Sequence, residues 1–190
     1  PGVMLSSAAK EYLKIYGVLV GKKPLVFTNN DSGYETAIEF KKNGIDPVVL
    51  DTRKNPSSDI VNEAKSLNID IKFSYVVVAA KGYKKVKSAD IAKISDDKKQ
   101  LSQIENINCD CICVSGFWTP TIHLASQSGN KTKFNEDIDA FIPGQSKQNE
   151  TVLGSAKGIF TLEETLKNSF EKGSELSKKI TNKENNISVP

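Results

Sequence analysis

PLVFTNNDSGYETAIEFKKNGIDPVVLD, residues 24–51, is the stretch of sequence that decides the fold. A short apolar run at 25–28 predicts a buried strand, and a helix of about residues 33–42 follows a four-residue loop. Gly44 ends that helix, and a second buried strand at 47–50 closes on Asp51. This strand–loop–helix–strand order is typical of a Rossmann-type dinucleotide-binding unit.

The loop of this unit departs from the usual phosphate-binding fingerprint, G-x-G-x-x-G. The three glycines of that fingerprint allow a tight turn, close approach of the pyrophosphate, and close helix–strand packing. In the aligned residues 28–33 only the packing glycine, Gly33, is present. Asn30 replaces the glycine that admits the pyrophosphate, and Asp31 adds a negative charge that repels phosphate. The loop therefore favours a fold that is retained without nucleotide binding at this position.

Two residues at the end of the second strand favour nucleotide binding instead. Asp51 lies where a dinucleotide fold places its ribose-binding acid, and Arg53 is close enough to favour a 2′-phosphate. An aspartate at a strand end is also a common loop-capping residue. Both interpretations of Asp51 stay open from the sequence.

Outward from residues 24–51 the pattern predicts an α/β fold. Strands alternate with helices of about a dozen residues, which favours a parallel sheet with right-handed crossovers. Apolar runs at 75–80 and 86–94 predict a β-meander added to the edge of that sheet. The predicted regions are an N-terminal helix and lead-in (1–22), a Rossmann-like domain with the meander (23–115), a return segment with a C-terminal helix (116–180), and a linker (181–190).

Composition excludes several classes of function. The net charge of +3 arises from interspersed lysines and acids without a dense basic stripe, so nucleic acid is not an expected partner. No run approaches the roughly 20 apolar residues that span a bilayer, and nothing resembles a secretory signal. These features predict a cytoplasmic protein that does not associate with membranes.

Three cysteines, Cys109, Cys111 and Cys113, alternate along one predicted strand. Alternation places them on one face about 7 Å apart, which is too far for tetrahedral metal binding without a kink. Their odd number argues against a disulfide framework. We therefore expect buried structural thiols and no metal site.

A second candidate site is SGFWTPTIHL, residues 115–124, which leaves the carboxyl end of a predicted buried strand. Open α/β sheets place their ligands at that end of their strands. Gly116 permits a sharp turn or a backbone contact with a ligand. His123 has no spaced partner that indicates a catalytic triad, and Trp118 is either a ligand contact or a packing anchor. No catalytic residue is predicted.

Four stretches resemble the alpha subunit of heterotetrameric sarcosine oxidase. They are YLKIYGV (12–18), VFTNND (26–31), VSGFWTPTIHLASQSG (114–129) and FIPG (141–144). The resemblance covers about residues 1–175, and the TNND loop is specific because it is an unusual replacement for a glycine fingerprint. Phe117 departs from the family pattern, which usually has a second glycine there, and a bulky side chain could narrow the cleft.

The resemblance implies a fragment of a longer oxidoreductase subunit. This region would be an inserted nucleotide-type domain with flanking segments of a larger dinucleotide-binding domain that holds NAD. The family oxidatively demethylates sarcosine with FAD and FMN in the holoenzyme. It passes the methyl carbon to tetrahydrofolate bound elsewhere in the subunit, and it assembles with beta, gamma and delta subunits.

The resemblance also implies that Gly116, Thr121 and His123 are NAD neighbours in the whole subunit. The isolated chain would be inactive and would hold no cofactor tightly. Three hypotheses follow from the residues and the resemblance together. The region is a structural, NAD-associated part of the subunit, a pyridine-nucleotide-binding domain that delivers hydride to a flavin, or a ligand-free docking module that uses the meander.

Overall fold

Five parallel strands form the sheet that the sequence predicts. The computed structural model describes residues 1–181, and the chain divides into two units, Pro1–Phe117 and a second unit from Trp118 onward. The strands are β1 (Val3–Leu5), β2 (Pro24–Thr28), β3 (Val48–Asp51), β4 (Asp70–Phe73), β5 (Tyr75–Lys81), β6 (Ser88–Lys93), β7 (Glu105–Asn108), β8 (Cys111–Ser115), β9 (Thr132–Asn135) and β10 (Ala140–Pro143). The helices are α1 (Ser6–Tyr16), α2 (Ser32–Lys42), α3 (Asp59–Ser66), α4 (His123–Gln127) and α5 (Leu162–Thr181), and a 3-10 turn spans Gly154–Lys157.

The large sheet has the strand order β1-β8-β2-β3-β4, and every neighbouring pair is parallel. Counted from β2, this is the order 3-2-1-4-5 of a dinucleotide-binding sheet. The fifth place is taken by β1 rather than by a strand that follows β8. The predicted parallel α/β fold is confirmed.

Helices α1, α2 and α3 cover one face of this sheet. Residues alternate along β2, so Val26 packs under the helices while Leu25 and Phe27 face the other side. The buried cluster on the helical face is fully apolar apart from the tyrosine hydroxyl. Its members are Ala9, Leu13, Val26, Tyr34, Ala37, Ile38, Phe40, Val49, Val61, Ala64, Ile69, Cys111 and Cys113.

The meander covers the opposite face. Strands β5, β6 and β7 form a separate antiparallel sheet, and Val86, Ala89 and Ile91 pack against Leu25 and Leu50 of the large sheet. The sequence predicts a meander at the edge of the sheet, and that placement is wrong. Leu25 and Leu50 need a cover on this face, since no helix of the first unit packs there.

Two strands of the first unit were not predicted. β7 has the sequence ENIN, in which only Ile107 is even half-buried, so it lacks an apolar pattern. β1 is a three-residue edge strand whose Val3 and Leu5 side chains are exposed. Because β1 pairs with β8, residues 3–16 belong to the same unit as residues 23–117. The sequence assigns residues 3–16 to a flanking segment.

The cysteines are buried, as expected, but they do not share one face. Cys111 and Cys113 lie on the helical side of β8 with their Sγ atoms 3.7 Å apart, closer than the predicted 7 Å because the two thiols turn toward each other. Cys109 precedes the strand and packs in the opposite core. The chain changes direction at Asp110, whose carboxylate accepts hydrogen bonds from the backbone amides of Lys22 and Lys23.

The second unit contains α4, the β9–β10 hairpin and α5. Thr161 caps the start of α5, because its hydroxyl accepts the Glu164 backbone N–H at 3.4 Å and donates to the Glu164 carboxylate at 2.7 Å. The hairpin was not predicted; its strands carry Phe134 against Phe141, with ring centroids 5.2 Å apart. The predicted linker lies outside the described residues, except for Thr181, which ends α5. Among residues 1–181, no helix is long and apolar enough to cross a membrane.

Candidate functional site

The candidate site lies where the strand order reverses. β2 pairs with β3 on one side and β8 on the other, and Thr28 at the end of β2 is in register with Ser115 at the end of β8. Ligands of open α/β sheets bind at the carboxyl ends of the strands beside such a switch point. The two sequence candidates, the loop at residues 28–32 and Gly116, therefore meet at one edge of the first unit.

The side-chain amide of Asn30 connects the two loops. Its Nδ2 donates to the carbonyl oxygen of Gly116 and, at 3.0 Å, to Asn29 Oδ1. Its Oδ1 accepts the Ser32 backbone N–H at 2.9 Å and the Ser32 hydroxyl at 2.6 Å. The Ser32 hydroxyl lies 2.7 Å from that of Ser115. We call Asn30, Ser32, Ser115 and Gly116 the Asn30 bridge.

Two backbone amides at the start of α2, those of Asn30 and Ser32, are also paired within the protein. Asn30 N–H donates to Thr28 Oγ1 at 3.2 Å, and the Thr28 hydroxyl donates to the Asn30 carbonyl at 2.7 Å. Ser32 N–H is held by the Asn30 side chain. In dinucleotide folds, free amides at this helix N-terminus bind the pyrophosphate. Here the amides of residues 30 and 32 already have partners.

Gly33 has the packing role that the fingerprint predicts. A Cβ atom on this residue would lie 2.6 Å from Thr28 Cβ and Oγ1, well inside van der Waals contact. The start of α2 can approach the end of β2 this closely only because residue 33 has no side chain. The prediction for the surviving glycine is confirmed.

Asp51 is fully buried and its carboxylate is occupied by side chains of its own unit. Tyr34 donates its hydroxyl to Oδ2 at 2.7 Å, and Arg53 donates its backbone N–H at 2.9 Å, Nε at 3.1 Å and Nη2 at 2.9 Å. The same Nη2 lies 2.8 Å from a carboxylate oxygen of Asp31. This arrangement supports the loop-capping interpretation of Asp51 and leaves the carboxylate no exposed surface for a ribose.

The electrostatics of this cluster follow from its burial. Burial, together with the hydrogen bond to Asp51, raises the pKa of the Tyr34 phenol well above its usual value. Burial lowers the pKa of Arg53, but hydrogen bonds to Asp51 and Asp31 outweigh it and raise that pKa overall. Tyr34 is therefore a neutral donor and Arg53 a permanent cation beside two carboxylates.

The three residues predicted as cofactor neighbours lie in different units. Gly116 is exposed at the end of the first unit, with open space where a Cβ would be. Thr121 and His123 are exposed in the second unit, where His123 begins α4. Their role beside a cofactor stays a prediction.

The aromatic pair next to Gly116 is largely exposed. Phe117 is 64% exposed and Trp118 is 59% exposed. Trp118 packs at one side on Phe160, with ring centroids 6.5 Å apart. This contact supports a packing role for Trp118 within the second unit, while most of its surface stays open.

Tyr34, Ser32 and Ser115 are the site residues to which sequence reasoning gave no role, although both serines lie within the candidate stretches. The helical pattern marks Tyr34 only as inward-facing, although a buried tyrosine needs a partner for its hydroxyl. Asp51, at the end of the neighbouring strand, was the available signal. No signal in the sequence indicated the contacts of the two serines, because these contacts depend on the pairing of β2 with β8 across more than 80 residues.

Comparisons with known proteins bear on the family and the fold. No family model matches the chain. It is 29% identical over 162 residues to sarcosine oxidase subunit alpha of Corynebacterium sp. (strain P-1), which covers 84% of this chain and 16% of that protein. It is 32% identical over 158 residues to sarcosine oxidase subunit alpha of Rhizobium meliloti (strain 1021), and the match covers 82% of this chain and 15% of that protein. The chain thus spans about a sixth of the length of these relatives.

Solved structures share the fold at low sequence identity. Lactococcus lactis thioredoxin reductase matches 96% of this chain and 59% of its own with a TM-score of 0.70 at 13% identity. An Escherichia coli HOCl-induced flavoprotein disulfide reductase matches 93% and 39% with a TM-score of 0.65, also at 13% identity. The chain has a thioredoxin reductase-like dinucleotide-binding fold. The resemblance predicted from its motifs is confirmed, and this chain is a relative of one segment of the sarcosine oxidase alpha subunit.

Proposed function

We propose that this chain is a non-catalytic, Rossmann-like segment of a sarcosine oxidase alpha-type subunit whose own switch-point crevice does not bind a dinucleotide. The Asn30 bridge is the observation that carries this proposal. An amide side chain with its hydrogen bonds made inside the protein occupies the position through which a pyrophosphate would approach. A nucleotide would have to break these bonds and displace Asn30.

The Asp51 cluster supports the same proposal. A ribose needs a free carboxylate oxygen, whereas the Asp51 oxygens accept from Tyr34 and Arg53 and are shielded from solvent. Asp31 also places a second carboxylate beside the helix N-terminus that would receive phosphate. Phosphate and ribose would both meet an unfavourable environment at this edge.

In the whole subunit we propose a role beside a cofactor bound mainly by other parts of the chain. Gly116, Thr121 and His123 would be NAD neighbours there. The substrate would be sarcosine, with FAD and FMN in the holoenzyme and tetrahydrofolate elsewhere in the subunit. The beta, gamma and delta subunits would be the partners. The names of the curated relatives, each a sarcosine oxidase subunit alpha, support this assignment.

Calorimetric titration of the chain with NAD⁺ and NADH tests the crevice. We expect wild-type binding weaker than about 1 mM, which corresponds to less than about 4 kcal/mol. Asn30→Gly removes the bridge and restores one fingerprint glycine, so this variant should bind at least about tenfold more tightly. Asn43→Gly, at the exposed end of α2, is the matched control and should behave as wild type. Micromolar binding by the wild-type chain would refute the proposal.

A second candidate function is a pyridine-nucleotide-binding domain that delivers hydride to a flavin. The observation in its favour is Arg53, whose side chain is one-third exposed at the carboxyl edge of the sheet. This function predicts tighter binding of NADPH than of NADH, with the preference lost in Arg53→Met. It also predicts that Asp51→Ala weakens binding about tenfold or more. Equal and weak binding of both nucleotides by every variant would exclude it.

The docking-module hypothesis stays a third prediction. The meander uses one face to cover the large sheet, so a partner would meet its outer strands β5 and β7. Co-purification of the chain with a flavin-bearing subunit would support it.

A further inference from the structure

A cleft opens at the amino-terminal edge of the large sheet, opposite the edge that holds the Asn30 bridge. It has a volume of about 370 Å³ and lies between the starts of β2 and β3 and the end of β7. Its floor is apolar and its rim is polar. The floor consists of Pro24, Leu25, Val48, Ile107 and Cys109, and the rim consists of Lys22, Lys23, Asp46 and Asn108.

The cleft exists because two sheets meet here without a loop that closes the gap. β7 pairs only with β6, and Ile107 and Asn108 at its end line the cleft together with the starts of β2 and β3. Leu25 and Cys109 are buried at the base, and Val48 and Ile107 are half-buried along the walls. The result is a concave apolar surface in the size range of small-molecule pockets, roughly 300–1,000 Å³.

The rim carries more positive than negative charge. Asp110 accepts the backbone amides of Lys22 and Lys23 at 2.8 Å each, and this fixes the backbone of the rim. Within residues 1–181 neither lysine ammonium has an ion-pair partner, whereas Asp46 at the other side is paired with Lys41. Asp110 has no ion-pair partner among the described residues, so its carboxylate offsets one of the two lysines, and an anionic group at the mouth of the cleft would meet a net excess of one positive charge.

We infer that this cleft binds a small apolar carboxylate. The alkyl chain lies against Leu25, Val48 and Ile107, and the carboxylate lies at the rim between Lys22 and Lys23. Apolar contact supplies most of the binding free energy, and the ammonium groups select the anion over a neutral or cationic analogue. The inference is independent of the carboxyl edge and holds whether or not that edge binds a nucleotide.

Three probes of equal chain length test the assignment by calorimetry: octanoate, octanol and octylammonium. We expect octanoate to bind most tightly and octylammonium least. The double variant Lys22→Gln/Lys23→Gln should weaken the binding of octanoate about threefold to tenfold, to the affinity of octanol, because two exposed charge contacts are lost. Lys84→Gln/Lys85→Gln removes two lysines from the β5–β6 turn and should leave octanoate binding unchanged.

A second variant tests the location without altering charge. Val48→Phe fills the cleft from its wall and should weaken the binding of octanoate and of octanol alike. Val78→Phe, at an exposed position of β5, is the control and should change the binding of neither. Equal affinity for the three probes, or octanoate binding that survives Val48→Phe, would overturn the inference. Absence of octanoate binding to the wild-type chain would overturn it as well.

Discussion

Replacing Tyr34 with phenylalanine removes one hydroxyl from the centre of the Asp51 cluster. Tyr34 is fully buried, and its hydroxyl donates to Asp51 at 2.7 Å. A hydrogen bond to a charged group contributes about 1.5–3 kcal/mol. Asp51 keeps its contacts with Arg53 in the variant, so the loss should fall at the lower end. We expect Tyr34→Phe to lower the free energy of unfolding by about 1.5–2 kcal/mol at pH 7.

The pH dependence of this difference is the sharper test. The pKa of Tyr34 is raised in the folded protein, so near pH 10 the phenol ionises only in the unfolded chain. The stabilising contribution of the neutral phenol is complete below about pH 10 and is lost as the pH rises toward the folded pKa. At one pH unit above 10, ionisation of Tyr34 in the unfolded chain lowers the free energy of unfolding of the wild type by about 1.4 kcal/mol. The phenylalanine variant has no phenol at this position and does not show this loss. The difference between them should shrink to well under 1 kcal/mol near pH 11.

Urea unfolding followed by circular dichroism at pH 7, 10 and 11 measures this difference. Lysine titration affects both proteins alike and cancels in the comparison. Tyr83→Phe is the control, because Tyr83 is 94% exposed and its hydroxyl should contribute nothing at any of the three pH values. A difference between Tyr34→Phe and wild type that stays constant from pH 7 to 11 would refute the buried neutral phenol.

Three further predictions concern the same unit. Gly33→Ala should destabilise the protein by about 1–3 kcal/mol in urea unfolding, because the new Cβ would overlap Thr28; Gly173→Ala in α5, where a Cβ meets open space, should instead raise helix content slightly. Arg53→Gln should cost about 3–5 kcal/mol by leaving the buried Asp51 carboxylate without its cation, and adding Asp51→Asn should recover part of that loss. Burial raises the pKa of Cys109 to about 11 and shields all three thiols, so a disulfide reagent at pH 8 should label them only after unfolding; prompt labelling of the native chain would contradict the described core.

The parts of the fold that were predictable are local in sequence. β2, α2 and β3 follow one another within 28 residues, and each shows its own pattern of apolar residues, glycine and strand end. The role of Gly33 also follows from its position alone, since only a small residue fits between a strand end and the helix that leaves it. Local rules therefore predicted both the unit and its packing glycine.

The parts that were missed depend on residues far apart in sequence. Asn30 and Gly116 are 86 positions apart, and only the parallel β2–β8 pairing brings them into contact. β7 has no apolar pattern because only its Ile107 packs against the core, and the meander lies over a face of the sheet because Leu25 and Leu50 require cover there. These contacts and placements arise only when the whole sheet has formed, so no short stretch of sequence considered alone can predict them.

The position of β8 has a consequence for the order of folding. β8 lies between β1 and β2, so the first strand of the chain has no partner in the sheet until residues 111–115 are in place. Strands β2, β3 and β4 are adjacent in sequence and can pair earlier, with one edge still open. Contacts of such long sequence separation slow folding. During synthesis the chain would therefore hold a three-stranded intermediate with an unpaired central edge, and insertion of β8 would complete the sheet on both sides at once.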